Sequence, residues 1–257
     1  MHGLIIIPTY NDVAFLKEGI RSSQLDVLII DDGSEVDIRG QLLEDENIRY
    51  IRLPKNNGKG FALRKGFTFA IEEQYDYVVT MDADGEHDPG DLPDFCEHIL
   101  AADIVIGERQ TFRGILSKVL NHIGTLSFRT LIPGIRDTQC GFRAFRTSVL
   151  KDMTLTARSF EIETEMLLEA SRMNASIRMI GINSRGKRLS GMTKRDYLFI
   201  NDFFDEWVLK NMAASFQLRT LVYGGRLLST ICRTFMDNRG DQRQRFHNNK
   251  KGIGSTQ

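Results

Sequence analysis

Short apolar runs alternate with longer amphipathic segments along the first half of the chain. The runs are rich in Ile, Leu and Val, which is typical of buried strands. We predict strands at residues 4–7, 27–30, 48–53, 77–81 and 104–106. We predict helices at residues 12–23, 36–45, 59–73 and 91–101. This rhythm predicts βαβ units, and therefore an α/β fold whose mostly parallel central sheet carries helices on both faces.

The second half of the chain is less regular. We predict a helix at residues 115–131, an extended segment at 138–146, a helix at 160–173 and a strand at 177–183. The helix at 160–173 places its apolar residues on one face, so we expect that face to pack on the core. Its glutamates are then expected to be surface charges.

Polar side chains follow three of the predicted strands. Residues 8–11 follow the first strand, residues 31–34 follow the second, and Asp82 and Asp84 follow the fourth. Ligands of open α/β sheets bind beyond the carboxyl ends of the strands. We therefore expect these three segments to converge on one binding site.

Asp82 and Asp84 carry the clearest chemical signal, and Glu86 and His87 follow them. Clustered carboxylates repel one another and cost desolvation energy, which a cation offsets. Carboxylate ligands suit Mg²⁺ or Mn²⁺, and Mg²⁺ usually fills its remaining positions with water and substrate phosphates. The same pattern is also typical of an Asp-rich turn that caps the next helix. We expect His87 to be a hydrogen-bond donor behind the ligands rather than a ligand.

Two further segments have features of a nucleotide site. Asp31 or Asp32 can accept hydrogen bonds from a base or a ribose, while Gly33 permits a tight turn. Residues 56–60 form a Gly-rich loop that opens a helix and carries Lys59. Helix N–H groups and a cation suit a diphosphate, although the spacing is not that of a Walker loop. Both segments are also typical of ordinary turns and caps.

Composition and charge place the chain among soluble or peripheral proteins. Net charge is zero over 257 residues. Residues 1–184 carry 20 − 28 = −8 and residues 185–257 carry 14 − 6 = +8, so the C-terminal part favours an anionic surface or ligand. Cys96, Cys140 and Cys232 have no ligand spacing and are expected to be reduced thiols of a cytoplasmic protein. We find no signal peptide or membrane span, and we expect no nucleic-acid partner.

Six segments in order resemble the motifs of family 2 glycosyltransferases with the Rossmann-like GT-A fold. Four are common to the family: Pro8-Thr9-Tyr10-Asn11, Asp31-Asp32-Gly33-Ser34, Asn57-Gly58-Lys59-Gly60 and Asp82-Ala83-Asp84. Two resemble the branch that loads a sugar onto a polyprenyl or dolichyl phosphate: Asp137-Thr138-Gln139-Cys140-Gly141-Phe142-Arg143 and Arg188-Leu189-Ser190-Gly191-Met192-Thr193-Lys194. Thr193 stands where that branch has Ser. The resemblance covers residues 4–194.

The resemblance implies a role for each matching residue. The implied metal ligands for Mg²⁺ or Mn²⁺ are Asp82, Asp84 and Glu86. The implied catalytic residues are Asp82, Asp84, Arg109 and Arg188. The implied substrate-binding residues are Pro8, Tyr10, Asn11, Asp31, Asp32, Lys59, Asp82, Asp137, Gln139 and Lys194. The implied partners are a nucleotide sugar donor and a polyprenyl phosphate acceptor.

The chemistry of the acceptor favours arginines over a general base. A phosphate monoester is largely anionic at neutral pH because its second pKa is about 6, and arginines position it well. We assign this role to Arg109 and Arg188, with Arg113 and Arg136 as further candidates. The other arginines of the region are expected on a solvated face, at positions 129, 143 and 146.

The sequence leaves two other functions open. Transfer to a sugar hydroxyl in polysaccharide or glycolipid synthesis needs a base, for which Glu161 and Glu163 are candidates. A nucleotide-sugar-binding subunit without activity of its own would need a membrane partner. We favour a metal-dependent, inverting hexosyltransferase that uses a GDP-mannose or UDP-glucose type of donor.

The C-terminal part is predicted to be separate from the catalytic domain of residues 1–194. Residues 195–236 are rich in large apolar residues and arginines, and predict an amphipathic helical extension. Residues 237–257 are polar and basic, and predict a disordered tail. The extension fits interfacial helices at the cytoplasmic membrane face, and equally a helical pair that covers the sheet or forms a dimer contact.

Liposome flotation distinguishes these alternatives for the extension. If its helices are interfacial, we expect the full chain to float with the vesicles and residues 1–194 to stay at the bottom of the gradient, because the aromatic and basic surface is then removed. Equal binding by both chains, or binding by neither, would contradict the membrane hypothesis.

Overall fold

The computed structural model describes residues 1–12, 25–41, 47–110, 121–122, 125–126, 128–129 and 131–183. The helices predicted at 12–23, 36–45 and 115–131 lie wholly or partly outside these residues. Arg113, Arg188, Lys194 and the predicted C-terminal extension and tail lie outside them as well. Within the described ranges, no helix is long and apolar enough to cross a membrane.

The described residues alternate between strands and helices. The strands are β1 (Gly3–Thr9), β2 (Asp26–Asp31), β3 (Ile48–Arg52), β4 (Tyr77–Thr80), β5 (Ile104–Arg109), β6 (Arg143–Arg146) and β7 (Ile177–Ile182). The helices are α1 (Lys59–Glu72), α2 (Leu92–His98), α3 (Thr147–Asp152) and α4 (Ile162–Arg172). Short 3₁₀ turns lie at Arg39–Gln41 and Pro89–Asp91.

These strands form one sheet in the order β3-β2-β1-β4-β6-β5-β7. Neighbouring strands pair in parallel except at β6, which runs antiparallel to both β4 and β5. All strands but β6 therefore end at the same edge of the sheet, and β6 begins there. We call this edge the carboxyl edge. The predicted α/β fold with a mostly parallel sheet is confirmed.

Alternation along the strands divides the apolar side chains between two cores. Leu4 and Ile6 of β1 belong to the core that contains residues of α1, α3 and α4. Ile5 and Ile7 belong to the opposite core, which contains residues of α2. Because both faces of the sheet are buried, each central strand appears in the sequence as a continuous apolar run.

The segment predicted as extended at 138–146 is a strand only from Arg143 onward. Asp137 is the reason, because its Oδ1 accepts hydrogen bonds from the N–H groups of Gln139 and Cys140, both at 3.0 Å. Those groups belong to a turn, so they are not available to a β ladder. The helix Thr147–Asp152 was not predicted, and the predicted helix at 36–45 contains a 3₁₀ turn at Arg39–Gln41.

Arg143 lies at the start of β6 and is fully buried. Its guanidinium donates to three main-chain carbonyls, those of Thr138, Cys140 and Glu163, each at 2.8 Å. It thereby joins the loop before β6 to helix α4. The prediction of a solvated Arg143 was therefore wrong.

We expect the substitution Arg143→Met to lower the free energy of unfolding by about 3–5 kcal/mol, because buried carbonyls lose their donors at about 1–3 kcal/mol each. Arg49→Met is the matched control. Arg49 forms an exposed pair with Glu73 at 3.4 Å, and its loss is expected to cost less than about 1 kcal/mol. Urea denaturation of the three proteins measures both effects, and equal losses would contradict the assigned role of Arg143.

Candidate active site

Asn11 joins the loops that follow β1 and β2 at the carboxyl edge. Its N–H donates to Ser34 Oγ at 2.9 Å, and its Oδ1 accepts from the N–H of Glu35 at 2.8 Å. Asn11 has a φ of 56°, a left-handed conformation that Asn tolerates better than most residues. Beside it, Tyr10 is exposed, whereas Pro8 is buried within β1. The side chains of Tyr10 and Asn11 are thus exposed at this edge, whereas Pro8 is not.

Asp31 is fully buried, and both of its carboxylate oxygens are bound within the chain. Oδ1 accepts from the N–H of Ser34 at 2.8 Å, and Oδ2 accepts from the hydroxyl of Tyr50 at 2.6 Å. Arg52 Nε lies 3.6 Å from Oδ2. Burial, followed by the bond to Asp31, raises the pKa of Tyr50, so the phenol stays a donor. These contacts support the turn interpretation of Asp31.

Asp32 connects β2 to the Gly-rich loop. Its two carboxylate oxygens accept from the N–H groups of Asn57 at 2.9 Å and Gly58 at 2.7 Å. Burial raises the pKa of Asp32, and these two hydrogen bonds act in the opposite direction. Asp32 therefore fixes the start of the loop that carries Lys59.

The main chain of residues 157–159 crosses the amino end of α1. Gly58 has a φ of 97°, and a Cβ on it would overlap the carbonyl oxygen of Arg158. A Cβ on Gly60 would lie 2.6 Å from the carbonyl oxygen of Ala157. Phe61 N–H donates to the carbonyl of Arg158 at 3.1 Å. The predicted use of helix N–H groups for a diphosphate therefore does not fit, because this crossing segment covers the helix end.

Glu161 and Glu165 hold the crossing segment in place. Their carboxylates accept hydrogen bonds from the N–H groups of residues 156–159 at 2.8–3.0 Å. Both side chains are buried, as is that of Glu163. The prediction that these glutamates are surface charges was wrong, because they compensate N–H groups and a lysine inside the protein.

Lys59 lies between two carboxylates that are far apart in the sequence. Its Nζ is 2.6 Å from Asp82 Oδ1 and 2.6 Å from Glu163 Oε1. Burial alone would lower the pKa of Lys59, but the two negative charges raise it above its ordinary value. Burial would raise the pKa of Asp82, but Lys59 and other cations lower it to about 2. Lys59 and Asp82 are therefore expected to be charged at neutral pH.

His87 supports the Asp82 backbone from behind. The N–H of Asp82 donates to His87 Nδ1 at 3.0 Å, and the ring stacks on Phe142 with centroids 5.0 Å apart. The Nε2 atom is 3.9 Å from Asp82 Oδ2. Burial lowers the pKa of His87. The ring thus packs behind the carboxylate, but towards the Asp82 main chain its Nδ1 accepts a hydrogen bond, whereas a donor was expected.

Arg109 is fixed by a bidentate pair with Asp137. Its Nε and Nη2 lie 2.8 and 3.0 Å from the two Asp137 oxygens, and its Nη1 lies 3.5 Å from Glu86 Oε1. Burial alone would lower the pKa of Arg109, but the bond to Asp137 raises it. Gln139 is exposed next to this pair. The structure thus joins the loop after β4, the end of β5 and the turn before β6.

Asp82, Asp84 and Glu86 do not form a complete metal site by themselves. Within the part of the chain that the structure describes, no three His, Cys, Asp or Glu side chains are placed to hold an ion together. Mg²⁺ is usually held by one or two carboxylates, with substrate phosphates and water completing its shell. Asp82 is partly exposed and Asp84 lies two residues on, so this pair fits a metal that binds together with a diphosphate.

Among the other predicted arginines, Arg136 is exposed and pairs with Glu108 at 2.7 Å. Arg146 donates to the carbonyls of Leu100 and Ala102, away from the carboxyl edge. Glu163, which the sequence offers only as a candidate base for a hydroxyl acceptor, lies beside Lys59 in the site. The apolar periodicity of α4 gives no sign of this role, because it assigns all polar positions to the surface.

The chain is similar to known proteins in both sequence and fold. The model of Glycosyl transferase family 2 matches residues 4–154, more than half of the chain. An undecaprenyl-phosphate mannosyltransferase of Micrococcus luteus is 30% identical over 200 residues. The match covers 69% of this chain and 81% of that protein. A UDP-N-acetylglucosamine–dolichyl-phosphate N-acetylglucosaminyltransferase of Methanococcus voltae is 30% identical over 212 residues. This match covers 70% of this chain and 84% of that protein.

The fold is also similar to that of a solved glycosyltransferase. Glucosyl-3-phosphoglycerate synthase from Mycobacterium tuberculosis, crystallised with Mn²⁺, UDP and glucosyl-3-phosphoglycerate, gives a TM-score of 0.61 at 18% identity. The likeness covers 77% of this chain and 75% of that chain, and confirms the predicted GT-A fold. The names of the two relatives confirm the resemblance to the polyprenyl- and dolichyl-phosphate branch. The chain belongs to glycosyl transferase family 2, and the protein is a glycosyltransferase.

Proposed function

We propose that this glycosyltransferase moves a hexose from a nucleoside diphosphate sugar to a polyprenyl phosphate, with inversion and with the help of a divalent metal. The relatives named for undecaprenyl phosphate and dolichyl phosphate support the acceptor class. Structural neighbours crystallised with Mn²⁺ or Mg²⁺ and UDP support the metal and the donor class. A lipid acceptor also implies contact with a membrane surface or with a membrane partner.

One observation supports the phosphate acceptor most directly. Glu161 and Glu163, the two candidate bases for a hydroxyl acceptor, are both buried, with exposed fractions of 6% and 3%. Glu161 Oε1 is bound to main-chain N–H groups, and Glu163 Oε1 is bound to Lys59. A general base must lie within hydrogen-bond reach of the acceptor hydroxyl. A phosphate acceptor needs no such base because it is already anionic.

The donor is assigned to the loops after β1, β2 and β4. In this proposal Asp82 and Asp84 hold the metal, and Tyr10 and Lys59 contact the nucleotide and its diphosphate. Asp32 positions the loop that carries Lys59. When bound, the metal would neutralise the charge that develops on the leaving diphosphate.

The acceptor is assigned to Arg109 and the turn after residue 136. Asp137 fixes the plane of the guanidinium, so that an acceptor phosphate would meet Arg109 in one orientation. A phosphate oxygen then forms a bond to the anomeric carbon while the bond from that carbon to the donor diphosphate breaks. No proton has to be removed from the acceptor. Arg188 and Lys194 remain predictions from their motif.

We expect Asp82→Asn and Asp84→Asn each to lower sugar transfer by roughly two to three orders of magnitude, because each removes a proposed metal ligand. Asp94→Asn is the matched control, since Asp94 is an exposed carboxylate in the first turn of α2. Formation of lipid-linked sugar with Mn²⁺ or Mg²⁺ measures the effect, and chelation of the metal should abolish it. Full activity in EDTA would contradict metal dependence.

The acceptor class is tested with two lipids that differ by one group. We expect lipid-linked sugar with a short polyprenyl phosphate and none with the corresponding polyprenol, because the alcohol needs a general base and the phosphate does not. A panel of UDP and GDP sugars identifies the donor in the same assay. Transfer to the polyprenol or to a free glycan, abolished by Glu161→Gln or Glu163→Gln, would support the hydroxyl-acceptor alternative instead.

A further inference from the structure

The ammonium group of Lys59 occupies the position that a metal would compete for. Its Nζ lies 2.6 Å from Asp82 Oδ1, a contact as short as charge-assisted hydrogen bonds become. The side chain of Lys59 is only 13% exposed, so the charge is poorly screened by water. A divalent cation on either oxygen of Asp82 would repel this ammonium at close range. The two cations therefore cannot both be held well by the same carboxylate.

Glu163 gives Lys59 a second carboxylate partner, and one oxygen of this carboxylate can still accept a hydrogen bond. Its Oε1 is 2.6 Å from Nζ, and its Oε2 is buried without a hydrogen-bond partner in the described part of the chain. A buried carboxylate oxygen of this kind is costly unless a donor reaches it. The main chain of Glu163 is fixed by Arg143, whose Nη1 donates to its carbonyl at 2.8 Å. Glu163 can thus retain the ammonium when Asp82 no longer does.

Gly141 leaves the space in which this exchange would occur. A Cβ at this position would lie 2.6 Å from Asp82 Oδ2 and 3.0 Å from Lys59 Nζ. Any side chain here would press on both members of the pair. The absence of a Cβ therefore keeps both Asp82 and Lys59 free to change partners.

We propose that Lys59 is an exchangeable counter-cation, and that Glu163 is the positioning residue that makes the exchange possible. Without donor, the ammonium neutralises Asp82 in place of the metal. When metal and diphosphate bind together, the ammonium leaves Asp82 and remains paired with Glu163 and the diphosphate. This inference rests on the proposed function, because it takes Asp82 as a metal ligand.

The exchange makes metal binding depend on the nucleotide. Metal alone has to displace Lys59 from Asp82, whereas the diphosphate offers the ammonium a new partner. Metal and nucleotide should therefore each strengthen the binding of the other by the same factor.

The double variant Lys59→Met/Glu163→Gln tests the exchange without changing the local net charge. It removes one positive and one negative group together, so the local net charge is unchanged and the Asp82 carboxylate is left without its ammonium partner. We expect the full-length double variant to bind Mn²⁺ roughly tenfold more tightly than the unchanged protein when no nucleotide is present. Electron paramagnetic resonance of free Mn²⁺ measures this affinity. Added UDP or GDP should improve it less than in the unchanged protein.

The single variant Glu163→Gln should have the opposite effect. Lys59 then has Asp82 as its remaining charged partner, so we expect nucleotide-free Mn²⁺ binding to weaken several-fold. Glu163→Asp keeps the charge and should restore part of the affinity. A merely structural role of Glu163 predicts weaker binding in the double variant as well, and does not explain a gain.

Asp82→Asn separates failure of this inference from failure of the proposed function. If Asp82→Asn weakens Mn²⁺ binding with UDP or GDP, but the double variant binds nucleotide-free Mn²⁺ no better than the unchanged protein, the exchange is wrong and the metal site stands. If Asp82→Asn leaves Mn²⁺ binding with both nucleotides unchanged, the proposed metal site is wrong and the exchange is wrong with it.

Discussion

Neutralisation of buried and partly buried carboxylates at the carboxyl edge of the sheet determines the arrangement of the loops there. A carboxylate removed from water is stable only when cations or N–H groups replace the lost hydration. Asp32 meets this requirement with the N–H groups of the Gly-rich loop, and Asp137 meets it with Arg109. Asp82 and Glu163 share Lys59. Each of these contacts joins segments distant in sequence, so the same pairs that satisfy the charges also bring the site residues together.

The two cations of the site differ in how firmly they are held. Arg109 forms a planar, bidentate pair with Asp137, which fixes both its position and its orientation. Lys59 is a point charge on a flexible stem and has two carboxylate partners at equal distance. In the proposed reaction this difference matches the two substrates. The acceptor phosphate has to attack from one direction, which suits the fixed Arg109. The donor diphosphate brings negative charge when it binds and removes it when it leaves, which suits a lysine that can change partners.

The strands and the residues at their ends could be predicted from the sequence because both depend on local pattern. A central strand buried on both faces appears in the sequence as an apolar run. The chain turns after such a run, at the edge where ligands bind, so Asp32, Asp82 and Asp84 could be identified as candidate site residues. The extended segment that contains β6 could be predicted, but its antiparallel pairing could not, because this pairing with β4 and β5 depends on contacts made after the chain has folded back. The burial of Arg143 could not be predicted either. Its hydrogen-bond acceptors are main-chain carbonyls, which every residue has, so no residue type in the sequence indicates them.

The role of Glu163 also could not be predicted, and the reason is electrostatic rather than geometric. The glutamates at positions 161, 163 and 165 lie outside the apolar face of the predicted helix, and polar positions outside such a face are normally exposed to solvent. Here the first and last of the three compensate main-chain N–H groups, and the middle one faces Lys59.

Glu163 is buried and its Oε1 is held by Lys59, so this carboxylate is not placed within hydrogen-bond reach of an acceptor hydroxyl. The site is thus better suited to holding charge than to removing a proton. An acceptor that is already anionic makes use of that property, and a sugar hydroxyl does not.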